Sequence, residues 1–249
     1  PGLPNDPAPS VSFLGEAARM GSAEAAERAG RAFMNGDGVP RDDARAVPLL
    51  RQAAEAGRPS AQNDYAVFFA AGRGGVARDD AEAAKWYRKA AAQGEPMAQA
   101  NLCICYQDGI GVPRDLAEAL RLCRLSAEKS NAIALDRLGW AYQHGLGVEK
   151  DLAQAFRYYL RSAESGNANG QNNAGFLYEN GWGVERDYGQ ALSWYRKAAG
   201  QGWSWAEWNL GRMFEAGIGV PQDRATAVAH FRRAARAGRP FRSSRAGSS

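Results

Sequence analysis

Apolar and small side chains recur at helical spacing along most of the chain. Ala98, Leu102 and Tyr106 follow one another at intervals of four residues. The same stripe returns 36 residues later as Ala134, Leu138 and Tyr142. A stripe at i, i+4 and i+8 occupies one face of an α-helix. We therefore predict an amphipathic helix at each occurrence.

A second helix is predicted after each stripe, because small and aromatic residues again recur at helical spacing, as in Ala83, Trp86, Tyr87, Ala90 and Ala91. An aspartate, a strong N-cap, precedes each copy: Asp6, Asp42, Asp79, Asp115, Asp151, Asp187 and Asp223. In four copies a Glu or Gln stands three residues later, the spacing of a capping box: Glu82, Glu118, Gln154 and Gln190. Helix stops are expected fifteen residues after the aspartates, mostly at glycine: Gly21, Gly57, Gly94, Ser130, Gly166, Gly202 and Gly238.

A Gly-x-Gly-Val loop joins the two helices and recurs at a nearly constant interval. The loops occupy residues 36–39, 72–76, 109–112, 145–148, 181–184 and 217–220, and their valines are 36 or 37 residues apart. A short helical pair cannot bury both of its faces alone and must stack on its neighbours. The period predicts an all-α, right-handed α-solenoid of stacked helix-turn-helix repeats over residues 1–238, about six and a half copies in all. Since Leu3 lies 36 residues before Val39, we expect that an upstream segment has been removed.

Residues 1–238 resemble a series of Sel-one-like repeats, relatives of the tetratricopeptide repeat, and residues 134–166 show the pattern almost whole, with Tyr158 in place of a Trp and Ser162 in place of an Ala. The matching residues are Ala134, Leu138, Gly139, Tyr142, Gly145, Gly147, Val148, Asp151, Ala155, Tyr158, Tyr159, Ala163 and Gly166. The resemblance implies a helical solenoid that works as a binding scaffold, in a family with many bacterial members that are often exported or envelope-associated. It also implies that the first helix of each repeat lies on the concave side.

Composition excludes several classes of protein. With 45% hydrophobic and 23% charged residues the chain can bury a core, and no stretch approaches the ~18 apolar residues of a membrane helix. The net charge of +4 comes from six arginines near the end: Arg232, Arg233, Arg236, Arg239, Arg242 and Arg245. Without them 25 basic residues face 27 acidic ones, which disfavours a nucleic-acid partner. Residues 239–249, rich in Ser, Gly and Arg, are predicted to form a disordered basic tail.

The sequence contains no catalytic motif of the common hydrolase, metalloprotease or nucleotide-binding types. The Gly-x-Gly loops end a helix instead of following a strand, so we interpret them as turns. We predict no enzymatic activity, no cofactor and no metal. His144 is interpreted as a solvated loop residue, with a binding role as the alternative, and His230 as a buried core histidine.

Two of the three cysteines occupy positions that other repeats use for packing. Cys103 takes the place of a packing glycine, and Cys123 takes that of Tyr87. Both are predicted to be buried. Because they lie on paired helices a disulfide is geometrically conceivable, but two separate thiols are the favoured interpretation.

Candidate binding residues lie 15, 11, 8 and 4 positions before each loop valine, opposite the core stripe. The predicted set on the concave face is Asn101, Arg137, Trp140, Asn173, Phe176 and Asn209. Asn amides both donate to and accept from a peptide backbone, Arg suits a carboxylate, and aromatic rings anchor interfaces. We predict a groove for an extended peptide, from a protein partner or from another segment of the parent protein. The alternative is that the asparagines bond the backbone of the adjacent repeat and that the aromatics pack between turns.

Three tryptophans outside the repeat pattern, Trp203, Trp205 and Trp208, predict a second apolar patch. It would contact a partner, a neighbouring domain or a second subunit, or else cover the end of the solenoid.

These features favour a non-enzymatic protein- or peptide-binding scaffold in assembly, signalling or envelope processes. The alternative is a bacterial envelope protein that binds or hydrolyses peptidoglycan or β-lactam-like ligands. The cysteine-rich branch of the family suggests that alternative, but its paired cysteines in each repeat are missing here. The sequence leaves the compartment open, because it shows no targeting segment, and the resemblance favours the periplasm or secretion.

Overall fold

The computed structural model describes residues 7–237, and in this range it consists of α-helices joined by short loops, without a strand. The predicted all-α repeat solenoid is confirmed. Each helix has 13 residues, and the bounds are α1 (Pro7–Arg19), α2 (Ala23–Asn35), α3 (Asp43–Glu55), α4 (Pro59–Ala71), α5 (Asp80–Ala92), α6 (Pro96–Asp108), α7 (Leu116–Glu128), α8 (Ala132–His144), α9 (Leu152–Glu164), α10 (Ala168–Asn180), α11 (Tyr188–Gly200), α12 (Ser204–Ala216) and α13 (Arg224–Arg236). The predictions for Leu3, Asp6, Gly238 and the tail at 239–249 lie outside the described residues.

The chain divides into two compact units, one ending at Ala134 and one beginning at Leu135. In the first unit α1 to α7 pack in sequence order, each helix against the next. In the second unit α9 to α13 do the same, and Tyr159 of α9 contacts Gly139 of α8. Within the described range no helix is long and apolar enough to cross a bilayer.

The loop within each repeat is tied to the helices on both sides. Gly181 ends α10 in the left-handed conformation (φ 67°). The N–H of Asp187 then donates to the carbonyl of Tyr178 at 3.0 Å, while its carboxylate accepts the N–H of Gln190 at 2.9 Å. The predicted aspartate caps are confirmed at Asp42, Asp79, Asp115, Asp151, Asp187 and Asp223.

The predicted capping box forms only in part, because the N–H of the capping aspartate is taken by the preceding helix. The N–H of Asp79 donates to the carbonyl of Phe69, so the carboxylate of Glu82 pairs instead with Lys85 at 2.8 Å. The expected glycine stops are confirmed by positive φ values at Gly21, Gly57, Gly94, Gly166 and Gly202, and Ser130 adopts the same conformation (φ 58°).

The two helices of a repeat approach closely where an aromatic ring lies against a glycine. A Cβ added at Gly139 would lie 2.7 Å from the Tyr159 ring, and one added at Gly175 would lie 2.9 Å from the Tyr195 ring. Since real Cβ atoms do not approach this closely, only glycine permits the contact. Gly211 and Phe231 repeat the arrangement between α12 and α13.

The α6–α7 pair replaces this contact with a covalent bond. Cys103 and Cys123 form a disulfide, and their Cα atoms are 5.5 Å apart. The favoured interpretation of two separate thiols is therefore wrong: the ring and glycine positions face each other at a distance that suits a disulfide. Cys105 is a free, buried thiol, and burial raises its pKa to about 11.

Candidate binding groove

The second unit contains a groove with a volume of about 590 Å³ on the side formed by α8, α10 and α12. The lining side chains are Asp136, Arg137, Trp140, Gln143, His144, Tyr159, Asn169, Asn172, Asn173, Phe176, Trp205, Trp208 and Asn209. Five of the six predicted binding residues are among them, and the sixth, Asn101, lies in the first unit. The structure thus brings these five together, while their binding role stays a prediction.

Helical phase explains why these side chains share one face. Arg137, Trp140 and His144 of α8 follow one another at intervals of three and four residues, which keeps them on the same side of the helix. Leu135 and Leu138, out of phase with them, are fully buried. Packing therefore uses one side of α8 and leaves the other for the groove.

Aromatic rings form the floor of the groove and contact the core at the same time. Trp140 and Phe176 are half-buried and pack against the core cluster that contains Tyr159 and Leu177. The Trp140 ring also lies 4.9 Å from His144, measured between ring centroids. One side of each ring therefore packs inside the protein, as the alternative interpretation predicts, and the other side faces the groove.

Four asparagines, Asn169, Asn172, Asn173 and Asn209, form a hydrogen-bonded amide row across the groove. Asn209 Nδ2 donates to Asn172 Oδ1 at 3.0 Å, and Asn172 Nδ2 donates weakly to Asn173 Oδ1 at 3.5 Å. Asn173 Nδ2 donates to Asp136 Oδ1 at 2.9 Å, and Asn169 Nδ2 donates to Asp136 Oδ2 at 2.7 Å. The asparagines do bond across repeats, but to side chains and not to the backbone.

Asp136, like Asn169 and Asn172 of the amide row, lies in the groove but was not among the predicted binding residues. It is buried, with 7% of its surface exposed, and burial raises the pKa of its carboxyl to about 6, against the opposite influence of the Asn173 hydrogen bond, the Arg137 charge and the Asn169 hydrogen bond. The only signal in the sequence is a carboxylate at a position where the preceding repeat has Ala100. Only the packing of α10 shows that it lies beneath the amides.

We expect Asp136 to make the protein more stable as the pH falls towards about 4.5. A carboxyl whose pKa is higher in the folded than in the unfolded state binds its proton more readily when folded, so acidification through the folded pKa favours the native state. The gain between about pH 7.5 and about 4.5 is about 2 kcal/mol. Urea unfolding of the wild type and of Asp136→Asn at both pH values measures this gain. It is the difference between the two proteins in how the free energy of unfolding changes with pH. An identical pH dependence in both would contradict the expectation.

The three tryptophans of the predicted second patch do not form a separate surface. Trp205, 41% exposed, and Trp208 line the groove itself. Trp203 precedes α12 in an extended conformation and packs against the core cluster that contains Leu192 and Tyr195. Trp208 also contacts the Phe231 ring of the last helix, at 6.4 Å between centroids. The structure therefore assigns two tryptophans to the groove and one to packing.

The corresponding helices of the first unit carry a more ionic network. Asn101 Nδ2 donates to Asn63 Oδ1 at 2.9 Å, and Asn63 Nδ2 donates to Asp64 Oδ1 at 3.1 Å. Arg31 completes the network from α2, with its Nε 2.5 Å from Asp64 Oδ2, and it also pairs with Glu27. Asn101, predicted for the same groove as Arg137, thus belongs to a network of its own unit.

The two histidines take different positions. His144 is the last residue of α8, not a loop residue, and its Nδ1 hydrogen-bonds the carbonyl of Trp140 at 2.9 Å. His230 lies 2.7 Å from the buried Glu207, and its ring stacks on Phe214. Between residues 7 and 237 no group of three or more His, Cys, Asp or Glu side chains has an arrangement that could hold a metal ion.

Comparison with known families and structures identifies the repeat. A family profile described as Sel1 repeat matches residues 23–57, 59–95, 96–131, 132–167, 168–203 and 206–238. A Sel1 repeat protein from Oxalobacter formigenes is 33% identical, with a TM-score of 0.79, and the match covers 88% of this chain and 89% of that one. A search of curated proteins gives no significant match.

Two further structures are similar to this chain. A protective antigen of uropathogenic Escherichia coli that displays an SLR fold is 35% identical, with a TM-score of 0.74, over 92% of this chain and 49% of that one. The chain thus spans about half the length of the E. coli structure. An immunity protein of Pseudomonas aeruginosa, Pa5087, is 24% identical over 86% of this chain and 81% of that one, with a TM-score of 0.58, and shows a similar fold.

Proposed function

We propose that this chain, which belongs to the Sel1 repeat family, is a protein-interaction scaffold that binds an extended peptide segment of a partner in the groove of its second unit. Members of the family are generally non-enzymatic scaffolds of this kind. The observation that carries the proposal is the presence, in one groove, of half-buried aromatic rings and a row of amides. In the second unit the helical pairs are closed by rings packed on glycines, and the amide row takes no part in those contacts.

The amide row supports recognition of an extended backbone. Side-chain hydrogen bonds join α8 to α10 and α10 to α12, and an extended chain rises ~3.3 Å per residue, so each step of the row spans a few residues of peptide. An asparagine amide can donate to a backbone carbonyl and accept from a backbone N–H. The row across α8, α10 and α12 therefore matches a short extended segment.

The aromatic floor supports anchoring by apolar side chains of the peptide. Trp140, Phe176, Trp205 and Trp208 all line the groove. Tryptophan is enriched among the residues that dominate binding energy at protein interfaces, where it fills desolvated pockets. Arg137 lies beside Trp140 on α8 and suits a carboxylate of the partner.

We expect the double substitution Arg137→Ala and Trp140→Ala to abolish peptide binding and to leave the helix content nearly unchanged, while the loss of the contact between Trp140 and the core lowers the melting temperature. Peptides are first selected from a random display library on the wild-type protein, and their affinities are then measured by titration calorimetry. The expected loss is about a hundredfold or more, since it removes one aromatic anchor and one charged contact. Circular dichroism monitors helicity in the same samples.

Arg157→Ala with Tyr158→Ala is the matched control, because it removes an arginine and a neighbouring aromatic from α9 outside the groove. Equal losses in the two double variants would contradict the proposal. So would a large loss of helicity in the groove variant, since that would make its residues structural.

We further propose that the protein works in the bacterial envelope or outside the cell. Disulfides persist in oxidising compartments and are rare in the cytosol, and Cys103 and Cys123 form one here. The similar E. coli structure is described as a protective antigen.

A further inference from the structure

The amide row ends on a carboxylate, and this gives it a direction. Asp136 accepts one N–H from Asn173 and one from Asn169. A rotation of an asparagine amide by half a turn exchanges its donor and acceptor ends, so an isolated amide has two orientations of similar energy. An ionised carboxylate can only accept. Asn169 and Asn173 must therefore present Nδ2 to Asp136.

The orientation is passed along the row by hydrogen bonds. With Nδ2 of Asn173 directed at Asp136, its Oδ1 is left to accept from Asn172. Asn172 then has its own Oδ1 left to accept from Asn209. All three donors point towards the carboxylate, and hydrogen bonds aligned in a chain polarise one another.

We propose that Asp136 is the positioning residue of the groove, whose carboxylate sets the direction of the amide row and thereby the pattern of N–H and C=O groups that a bound peptide backbone meets. This inference rests on the proposed function of the groove. A row with a set direction loses no orientational freedom when the peptide binds, which is the advantage of a preorganised site.

Protonation of Asp136 removes the constraint. A protonated carboxyl donates one hydrogen bond, so either Asn169 or Asn173 can turn its Oδ1 towards it. The charged and titratable groups that face Asp136 are Arg137 on its own helix and Tyr159 on α9. Burial keeps the pKa of Tyr159 above its ordinary value, so that phenol stays neutral while Asp136 titrates. The row therefore loses its direction as the pH falls through the pKa of Asp136.

The first test needs no ligand. Nitrogen-proton correlation spectra of the full chain follow the side-chain amide signals of Asn169 and Asn173 during acidification. Both are expected to shift together with a midpoint near pH 6, the pKa of Asp136, and not to shift in Asp136→Asn. Signals that stay constant in the wild type, or that shift equally in the variant, would overturn the orientation of the row by Asp136.

The second test measures recognition with a peptide selected on the wild type, as above. Asp136→Asn is expected to bind it about tenfold or more weakly at neutral pH, and Asp136→Glu, which keeps a carboxylate, to recover part of the loss. Glu185→Gln removes an exposed charge of the second unit and is the control. Equal binding by wild type and Asp136→Asn would overturn the positioning role while leaving peptide binding intact. If no peptide binds the wild type, the proposed function fails and the role of Asp136 in recognition fails with it, whereas the spectra still report on the row.

Discussion

Replacing Gly183 by alanine is expected to destabilise the protein by about 4 kcal/mol or more, because the new methyl group would collide with a backbone atom. Gly183 lies in the loop between α10 and α11 with a φ of 71°, and a Cβ there would lie 2.1 Å from the carbonyl oxygen of Leu152. That oxygen belongs to the first turn of α9, so relief of the clash requires a shift of the loop away from the preceding repeat. The left-handed conformation adds a further ~1–2 kcal/mol for any residue with a Cβ.

Gly166→Ala separates the two contributions. Gly166 also has a positive φ, 85°, but a Cβ there would meet no atom within 4 Å. Gly166→Ala is therefore expected to lower the free energy of unfolding only by the ~1–2 kcal/mol of backbone strain. Urea denaturation followed by far-ultraviolet circular dichroism compares the two variants with the wild type. Similar free energies of unfolding for both would show that the contact between the loop and α9 contributes nothing.

Loss of the disulfide is expected to lower the free energy of unfolding by about 3 kcal/mol. The bond joins cysteines 20 residues apart, and the cross-link restricts the unfolded chain more than the folded one. Cys103→Ala with Cys123→Ala removes the cross-link and leaves two small side chains in a buried site. The comparison variant Cys103→Gly with Cys123→Tyr installs the ring-on-glycine contact of Gly139 and Tyr159.

The glycine–tyrosine variant is expected to be about 1–2 kcal/mol more stable than the alanine pair, since it fills the space that the alanines leave empty. Urea denaturation measures both variants. Alkylation of the unfolded wild type without a reductant, followed by mass spectrometry, is expected to label Cys105 alone. Labelling of all three cysteines, or an alanine pair as stable as the wild type, would contradict the prediction.

The repeat architecture was predictable because it depends on short-range signals. Each helix is indicated by an aspartate cap, a glycine stop or a stripe at helical spacing, and these signals involve residues only a few positions apart. Their repetition along the chain makes them easy to recognise. Where a signal depends on a second helix, the prediction was incomplete. The Glu82 capping box is an example: the N–H it would need donates to Phe69 of the preceding helix.

The groove was predictable in part for the same reason. Helical phase alone places Arg137, Trp140, Asn173, Phe176 and Asn209 opposite the core stripes, and all five line the groove. Phase does not show which side chains of different repeats touch. It could not assign Asn101 to a network with Asn63, or show that Trp203 packs inward while Trp205 faces the groove.

By itself the sequence determined the period, the helices, their caps and the faces that packing leaves free, because each follows from local backbone preferences repeated every 36 residues. Tertiary structure alone decided the Cys103–Cys123 bond and the position of Asp136 beneath the amide row. Both depend on distances of a few ångströms between residues 20 or more positions apart. Such distances depend on how closely two helices approach each other. The volumes of the side chains between the helices, such as rings, glycines and thiols, determine that approach once they are packed together.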